Sequence, residues 1–170
     1  MRPYTGATDP AKSARAGTKR FQDLMVFLFG MKSLGIYANR PVRGGTGLSV
    51  HGTGLSVHAT GRACDLGGTP KQIKEAIDFL YAFRDRLEVE AVHDYKGYWI
   101  ATRGYGAAYR CNRDVGGKNS GWRVYSQPTI GTGGQWTHYE ISPTMASSPD
   151  RVDATFTAIL DDIAKALEPK

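Results

Sequence analysis

The stretch Ser56-Val57-His58-Ala59-Thr60-Gly61-Arg62-Ala63-Cys64-Asp65 places an imidazole and a carboxylate seven positions apart across a glycine. Alternate side chains of a strand share a face, so we expect Ser56 and His58 to point the same way, and Ala63 and Asp65 likewise. Gly61 can adopt a positive φ without steric cost, and a chain reversal there would bring His58 beside Asp65. The stretch therefore predicts two metal-binding side chains at one point of the fold.

A second histidine lies in the later segment Gln135-Trp136-Thr137-His138-Tyr139-Glu140. Two imidazole nitrogens and one carboxylate oxygen form a ligand set typical of zinc, with a fourth position open for water. An open position distinguishes a catalytic zinc from a structural one, because the ion lowers the pKa of bound water to about 7. The residues thus predict one zinc ion held by His58, Asp65 and His138. The alternative, for HxxGxxxD alone, is a turn-capping Asp65 and a surface His58.

The pattern SxHxxGxAxD followed by WxH resembles zinc peptidases that cut peptidoglycan stem peptides. These are the D-alanyl-D-alanine carboxypeptidases and dipeptidases and the L-alanyl-D-glutamate endopeptidases of phage lysins. The matching positions are Ser56, His58, Gly61, Ala63 and Asp65. Hedgehog's amino-terminal domain shares the family's fold, so the resemblance implies an α+β domain with a small antiparallel sheet packed with about three helices. It covers roughly residues 21–141, implies the same three zinc ligands, and implies hydrolysis of stem peptides in cell wall degradation.

The second motif departs from this family at the proton acceptor. Most members have an acidic residue three positions before the last histidine ligand, or a histidine two before it, where this chain has Gln135 and Trp136. Neither side chain accepts a proton at neutral pH. Glu140 is the candidate catalytic base; holding the His138 ring, or lying at an exposed strand end, are its alternatives. The second functional prediction is therefore a weak or inactive virion or wall-binding protein with the same fold, and the third is a signalling-type binding domain.

Residues in and around the motifs are predicted to bind substrate. Arg62 is a candidate partner for a stem-peptide carboxylate, because a guanidinium binds carboxylates through two parallel hydrogen bonds. Ser56 is predicted to bind substrate or to steady the neighbouring ligand, and Trp136 is predicted to line the groove. Each has an ordinary packing or surface role as its alternative, and His93 is assigned no role. The remaining candidates are Arg103, Arg110, Arg113, Tyr105, Tyr109 and Trp122.

A seven-residue segment, Gly-Thr-Gly-Leu-Ser-Val-His, occurs twice in tandem, at residues 45–51 and 52–58. Only the second copy continues with Gly61, Ala63 and Asp65 in register. The first copy is therefore interpreted as an inserted loop. The alternative is that His51 joins or exchanges with the metal ligands, since glycine-rich strands specify their register weakly.

The composition indicates one globular domain spanning residues 1–170. A chain of 170 residues with 41% hydrophobic and 22% charged residues can bury a single core. The net charge of +6 suits weak binding to an anionic cell wall, or a solvated surface without a partner, and no basic and aromatic cluster indicates specific nucleic-acid binding. Cys64 is expected to be a small buried side chain that points away from the metal; a disulfide with Cys111 is left open.

Hydrophobic periodicity and capping residues predict three helices. The first carries its apolar stripe from Phe21 to Met31 and ends near Gly35. The second begins at the cap Thr69 with Pro70 in its first turn and continues to about Arg86, and the third covers residues 150–167. Alternating and aromatic segments predict strands. These are Val89–His93, Tyr98–Thr102, Trp122–Ser126 and Trp136–Ile141.

The amino-terminal residues contain no apolar segment typical of a secretory signal. The most apolar run, residues 24–31, is too short to span a bilayer. We therefore expect synthesis in a host cytoplasm, no membrane insertion, and action at the cell wall. The family resemblance and the missing leader together predict a bacteriophage endolysin, or a virion component with assembly partners.

Overall fold

The structure, a computed structural model, describes residues 1–6, 8–39, 55–97, 106–112, 120–125 and 135–168. These residues form four α-helices, one short 3₁₀ turn and a six-stranded sheet. The helices are α1 Ala16–Phe29, α2 Pro70–Ala82, α3 Pro143–Ser147 and α4 Pro149–Leu167, and the 3₁₀ turn is Val57–Thr60. The strands are β1 Lys32–Gly35, β2 Ala63–Gly67, β3 Val89–Asp94, β4 Ala107–Arg110, β5 Gly121–Val124 and β6 Trp136–Ile141.

The strands lie in the order β1-β2-β6-β3-β4-β5, and every neighbouring pair is antiparallel. This confirms the predicted α+β class with an antiparallel sheet. The last strand in sequence, β6, inserts between β2 and β3, so its residues pair on both sides. That insertion brings the WxH motif beside the strand that carries Asp65.

One face of the sheet packs against the helices and forms the hydrophobic core. Phe21 of α1 lies 5.3 Å from the ring of Tyr139 on β6 and 5.0 Å from the ring of Phe156 on α4. Because side chains alternate along a strand, the residues between these core positions point to the other side. We call this second side the polar face; it carries Asp65, His93, Trp136, His138 and Glu140.

The second helix begins as predicted, and the last begins at Pro149, one residue before the predicted start. Thr69 and Gln72 form a reciprocal capping box at the start of α2, with Pro70 in the first turn. Helix α4 covers Pro149–Leu167. The predicted end of the second helix near Arg86 is wrong: α2 ends at Ala82, and turn residues follow. The predicted end of the first helix near Gly35 is wrong: Gly30, with φ +60°, ends α1 in the left-handed conformation, and the chain continues as β1.

The strand predictions agree with β3, β5 and β6, and β6 has the predicted bounds. The predicted strand Tyr98–Thr102 lies outside the described residues. Strands β1 and β4 are additional. Within the described ranges, no helix combines the length and apolar character needed to cross a membrane.

Candidate metal centre

His58 lies on the 3₁₀ turn rather than on a strand, so the predicted strand geometry around it is wrong. Ser56 caps the turn, and its hydroxyl oxygen accepts a hydrogen bond from the backbone N–H of His58 at 3.3 Å. Gly61 ends the turn with φ +68°, and a Cβ there would lie 2.7 Å from the carbonyl oxygen of Ser13. The predicted reversal at Gly61 therefore occurs, and no larger residue fits there without displacing Ser13.

Asp65 contacts both histidines that were predicted as ligands. It pairs directly with His138 across β2 and β6, and its Oδ1 lies 2.8 Å from Nδ1 of His138. Its other oxygen, Oδ2, lies 3.3 Å from Nε2 of His58. The two imidazole rings are 4.9 Å apart between centroids. The structure thus unites three residues that the sequence separates by up to 80 positions (58 to 138).

The tautomer of His58 is set by a backbone group. Its Nδ1 lies 2.7 Å from the carbonyl oxygen of Ile36, which can only accept a hydrogen bond. The proton is therefore on Nδ1, and Nε2 faces Asp65, where it can donate a hydrogen bond when protonated or bind a metal ion when it is not. This arrangement, in which one ring nitrogen donates to a carbonyl and the other faces the site, is typical of metal-binding histidines.

The site favours positive charge. Burial lowers the pKa of His138, but the hydrogen bonds to Asp65 and Glu140 outweigh burial and raise the pKa to about 9. Burial likewise raises the pKa of Asp65, but hydrogen bonds from His138 and His58 hold it well below the usual range. An ionised carboxylate between two imidazoles, in a pocket where His58 and His138 are buried, attracts either a proton or a metal cation.

The donor set fits zinc. Two imidazole nitrogens and one carboxylate oxygen form one of the three-residue sets that leave a catalytic zinc an open position. Bonds of about 2.0–2.1 Å at tetrahedral angles separate neighbouring ligand atoms by about 3.3 Å. The ligand atoms of His58, Asp65 and His138 all lie within 4.8 Å of one another. Small side-chain movements are enough to bring them into one coordination sphere.

Glu140 lies on the opposite side of the His138 ring from Asp65. Its Oε1 is 3.3 Å from Nε2 of His138, and the residue is 7% exposed. The alternative of an exposed strand-end glutamate is therefore wrong. The contact agrees with the other alternative for Glu140, a carboxylate that orients the His138 ring through a hydrogen bond.

The sequence assigned no role to His93 or Tyr125, but the structure places His93 beside His138 and Tyr125 beside His93. His93 on β3 pairs directly with His138, and their rings lie 5.1 Å apart. Its Nδ1 lies 2.5 Å from the hydroxyl oxygen of Tyr125, which directly follows β5. The strand containing His93 was predicted correctly, but its pairing with β6 was not readable from the sequence.

Arg62 does not reach the polar face, so its predicted substrate role is wrong. The residue is 2% exposed, and its guanidinium contacts Oε2 of Glu90 at 3.2 Å and the carbonyl oxygen of Ile141 at 2.6 Å. It also donates to the carbonyl oxygen of Gly6. Arg62 is therefore a buried structural cation that ties the amino-terminal segment to the sheet.

The other substrate candidates divide between the two faces. Ser56 is 8% exposed and holds the His58 backbone, which favours its steadying role. Trp136 is partly buried at the start of β6, with its ring 4.4 Å from that of Tyr95, and remains a candidate. Tyr109 and Trp122 pack against Tyr81 on the core side, so the prediction that they line the groove is wrong.

Of the remaining candidate residues, Arg110 lies on β4. His51, Arg103, Tyr105 and Arg113 lie outside the described residues. Both cysteines are buried, and Cys64 lies on the core face, as expected.

The candidate metal centre is therefore built from a short turn and two paired strands, with Asp65 between the two histidines. The chain matches no protein-family model, and it has no match among curated proteins or solved structures.

Proposed function

We propose that this protein is a zinc-dependent peptidase that hydrolyses peptide bonds in peptidoglycan stem peptides. The observation that carries the proposal is the position of Asp65 between Nε2 of His58 and Nδ1 of His138. The resemblance of the SxHxxGxAxD and WxH motifs to stem-peptide peptidases supports the substrate class. Action at the cell wall, as a phage lysin or a virion component, belongs to the same proposal.

Zinc, when bound, would supply a Lewis acid that polarises the scissile carbonyl and lowers the pKa of water. His58, Asp65 and His138 would hold the ion, and the Ile36 carbonyl and Glu140 would orient the two rings. Asp65 is the most exposed of the three ligands, with 21% of its side chain accessible. Substrate therefore approaches from the side of Asp65.

The chain lacks an acid at the usual position of the general base. Gln135 occupies the usual position of the acid and accepts no proton at neutral pH. Glu140 has its carboxylate against His138, where it orients the ring. These two observations favour slow turnover, and they also support the second candidate function, a zinc-containing wall-binding protein without hydrolysis.

The decisive experiment is digestion of purified peptidoglycan followed by mass spectrometry of the released muropeptides. We expect cleaved stem peptides with zinc-loaded protein, none after removal of zinc by a chelator, and recovery on adding zinc back. His138→Ala should abolish release. His51→Ala is the matched control and should leave both zinc content and release unchanged.

The outcomes separate the candidate functions. Intact muropeptides at every zinc concentration, together with one bound zinc and sedimentation with the wall, would overturn the peptidase in favour of the binding protein. Loss of zinc in the His51→Ala variant would show that the first copy of the repeat contributes a ligand.

A further inference from the structure

The second ring nitrogen of His138, Nε2, faces another group of side chains that could bind a metal ion. The Nδ1 of His138 faces Asp65, whereas its Nε2 faces Oε1 of Glu140 at 3.3 Å. His93 completes this second group. The possible ligand atoms of His93, His138 and Glu140 all lie within 4.8 Å of one another.

The sheet register assembles this group without a long loop. His93 and His138 are direct partners across β3 and β6, and Glu140 follows His138 by two residues on the same face. The partner of Glu140 on β3 is Ala91, whose side chain is too small to crowd the carboxylate. Three donors thus project from two central strands, which hold side chains more precisely than loops do.

The distances suit a coordination sphere at least as well as a hydrogen bond. Donor–acceptor separations in N–H···O bonds are about 2.7–3.2 Å, with a mode near 2.9 Å. Neighbouring ligands of a tetrahedral zinc are about 3.3 Å apart. The separation between Nε2 of His138 and Oε1 of Glu140, 3.3 Å, is long for a hydrogen bond and equals the spacing of neighbouring zinc ligands.

The orientation of His93 is also fixed. Its Nδ1 lies against the Tyr125 hydroxyl, and its ring lies between those of His138 and Tyr95, at centroid distances of 5.1 and 5.3 Å. The Tyr125 hydroxyl can donate or accept; in the arrangement in which Nδ1 donates to it, the lone pair of His93 lies on Nε2. The same device, a hydrogen-bonded Nδ1 and a ligand Nε2, occurs at His58.

We propose that His93, Glu140 and Nε2 of His138 form a second site for a divalent transition metal, joined to the first site through the His138 ring. Binding of this ion releases the Nε2 proton to solvent, so the ring becomes an imidazolate that bridges two ions. Two carboxylates and one imidazolate only partly neutralise two divalent cations. The second ion therefore binds more weakly than the first.

The test is a zinc titration of untagged, metal-free protein by equilibrium dialysis with elemental analysis. We expect two ions per wild-type chain at saturation, one tight and one weaker. His93→Gln should retain only the tight ion, and His58→Gln should lose the tight one. Tyr125→Phe, which removes only the hydroxyl, should weaken the second ion about 10–100-fold and leave the first unchanged.

A titration with Co²⁺ followed by visible absorption gives an independent readout, with two steps expected for wild type and one for His93→Gln. Circular dichroism checks that the variants are folded. Saturation of the wild type at one ion, or equal stoichiometry in wild type and folded His93→Gln, would overturn the second site. Neither titration depends on turnover, so the two proposals can fail separately. Binding of two ions without muropeptide release would contradict the peptidase and support the second site. Binding of one ion with release would contradict the second site and support the peptidase.

Discussion

Asp65 and His138 are direct partners in the pairing of β2 with β6, and their side chains meet at 2.8 Å on the polar face. Asp65 also contacts His58, so a single carboxylate joins a turn and two strands. This contact is the centre of the proposed zinc site.

Replacing the charge of Asp65 should therefore remove zinc binding. Asp65→Asn keeps the shape of the side chain but makes it a poor zinc ligand. We expect zinc affinity to fall by more than about 100-fold, beyond the loss caused by residues that only orient a ligand. Competition with a chromophoric chelator measures it. The control is Asp23→Asn, an exposed carboxylate paired with Lys19; equal losses in both variants would contradict the assignment.

Glu140→Gln distinguishes a Glu140 that orients the His138 ring from one that is the catalytic base. The contact with Nε2 of His138 makes us expect a fall of about 10–100-fold in affinity for the tightly bound zinc, because a carboxylate that orients a ligand ring is lost. The same zinc competition measures this change. A variant that retains wild-type zinc affinity but loses turnover would show instead that Glu140 is the catalytic base.

Gln135→Glu places an acid three residues before His138, the position of the acid in the stem-peptide peptidases that the motifs resemble. Gln135 is exposed immediately before β6, so the new carboxylate needs no buried partner. We expect muropeptide release to increase by about 10² or more, the typical contribution of a positioned general base. Gln135→Met, of similar size but without a proton acceptor, is the matched control. Equal rates in the two variants would rule out a missing base at this position.

Arg62→Met should destabilise the protein without affecting substrate binding. Glu90 is fully buried, and loss of Arg62 leaves its charge with only the Thr5 hydroxyl and the guanidinium of Arg2, 4.0 Å away. We expect the free energy of unfolding to fall by about 3–5 kcal/mol, measured by denaturant unfolding. The exposed Arg123 provides the control variant Arg123→Met. Unchanged stability with a raised KM would restore the substrate role.

The stability of the fold should decrease in acid because of Glu88. Burial raises the pKa of Glu88, but hydrogen bonds from Ser142 and Arg151 outweigh it and lower the pKa below 4.5. Because the pKa of Glu88 is lower in the folded protein than in the unfolded chain, the ionised carboxylate stabilises the fold above pH 4.5. This stabilisation is lost as the pH falls through the folded-state pKa.

Glu88→Gln tests this linkage. The variant should be less stable than wild type at neutral pH, and the difference should shrink well below pH 4.5. Urea unfolding at both pH values measures it. A constant difference across the range would show that Glu88 does not titrate with folding.

Local signals in the sequence predicted several elements closely. The start of α2 depends on three residues within a span of four: Thr69, Pro70 and Gln72. A local pattern was therefore sufficient to predict it. Residues 136–141 alternate between a face with Thr137, Tyr139 and Ile141 and the polar face with Trp136, His138 and Glu140, which identified β6 with its bounds. The 3₁₀ turn at His58 was missed because the hydroxyl of Ser56 caps the chain there, an interaction that competes with strand structure.

By itself, the sequence determined the α+β class, the helix that begins at Pro70 after its cap Thr69, the last helix to within one residue of Pro149–Leu167, and the chemical nature of the donors at His58, Asp65 and His138. Only the tertiary structure decided that Arg62 is buried against Glu90, that Glu140 lies against the His138 ring, and that His93 faces the same point. The reason is that caps and periodicity act over a few residues, whereas the insertion of β6 between β2 and β3 depends on strand pairing between distant segments.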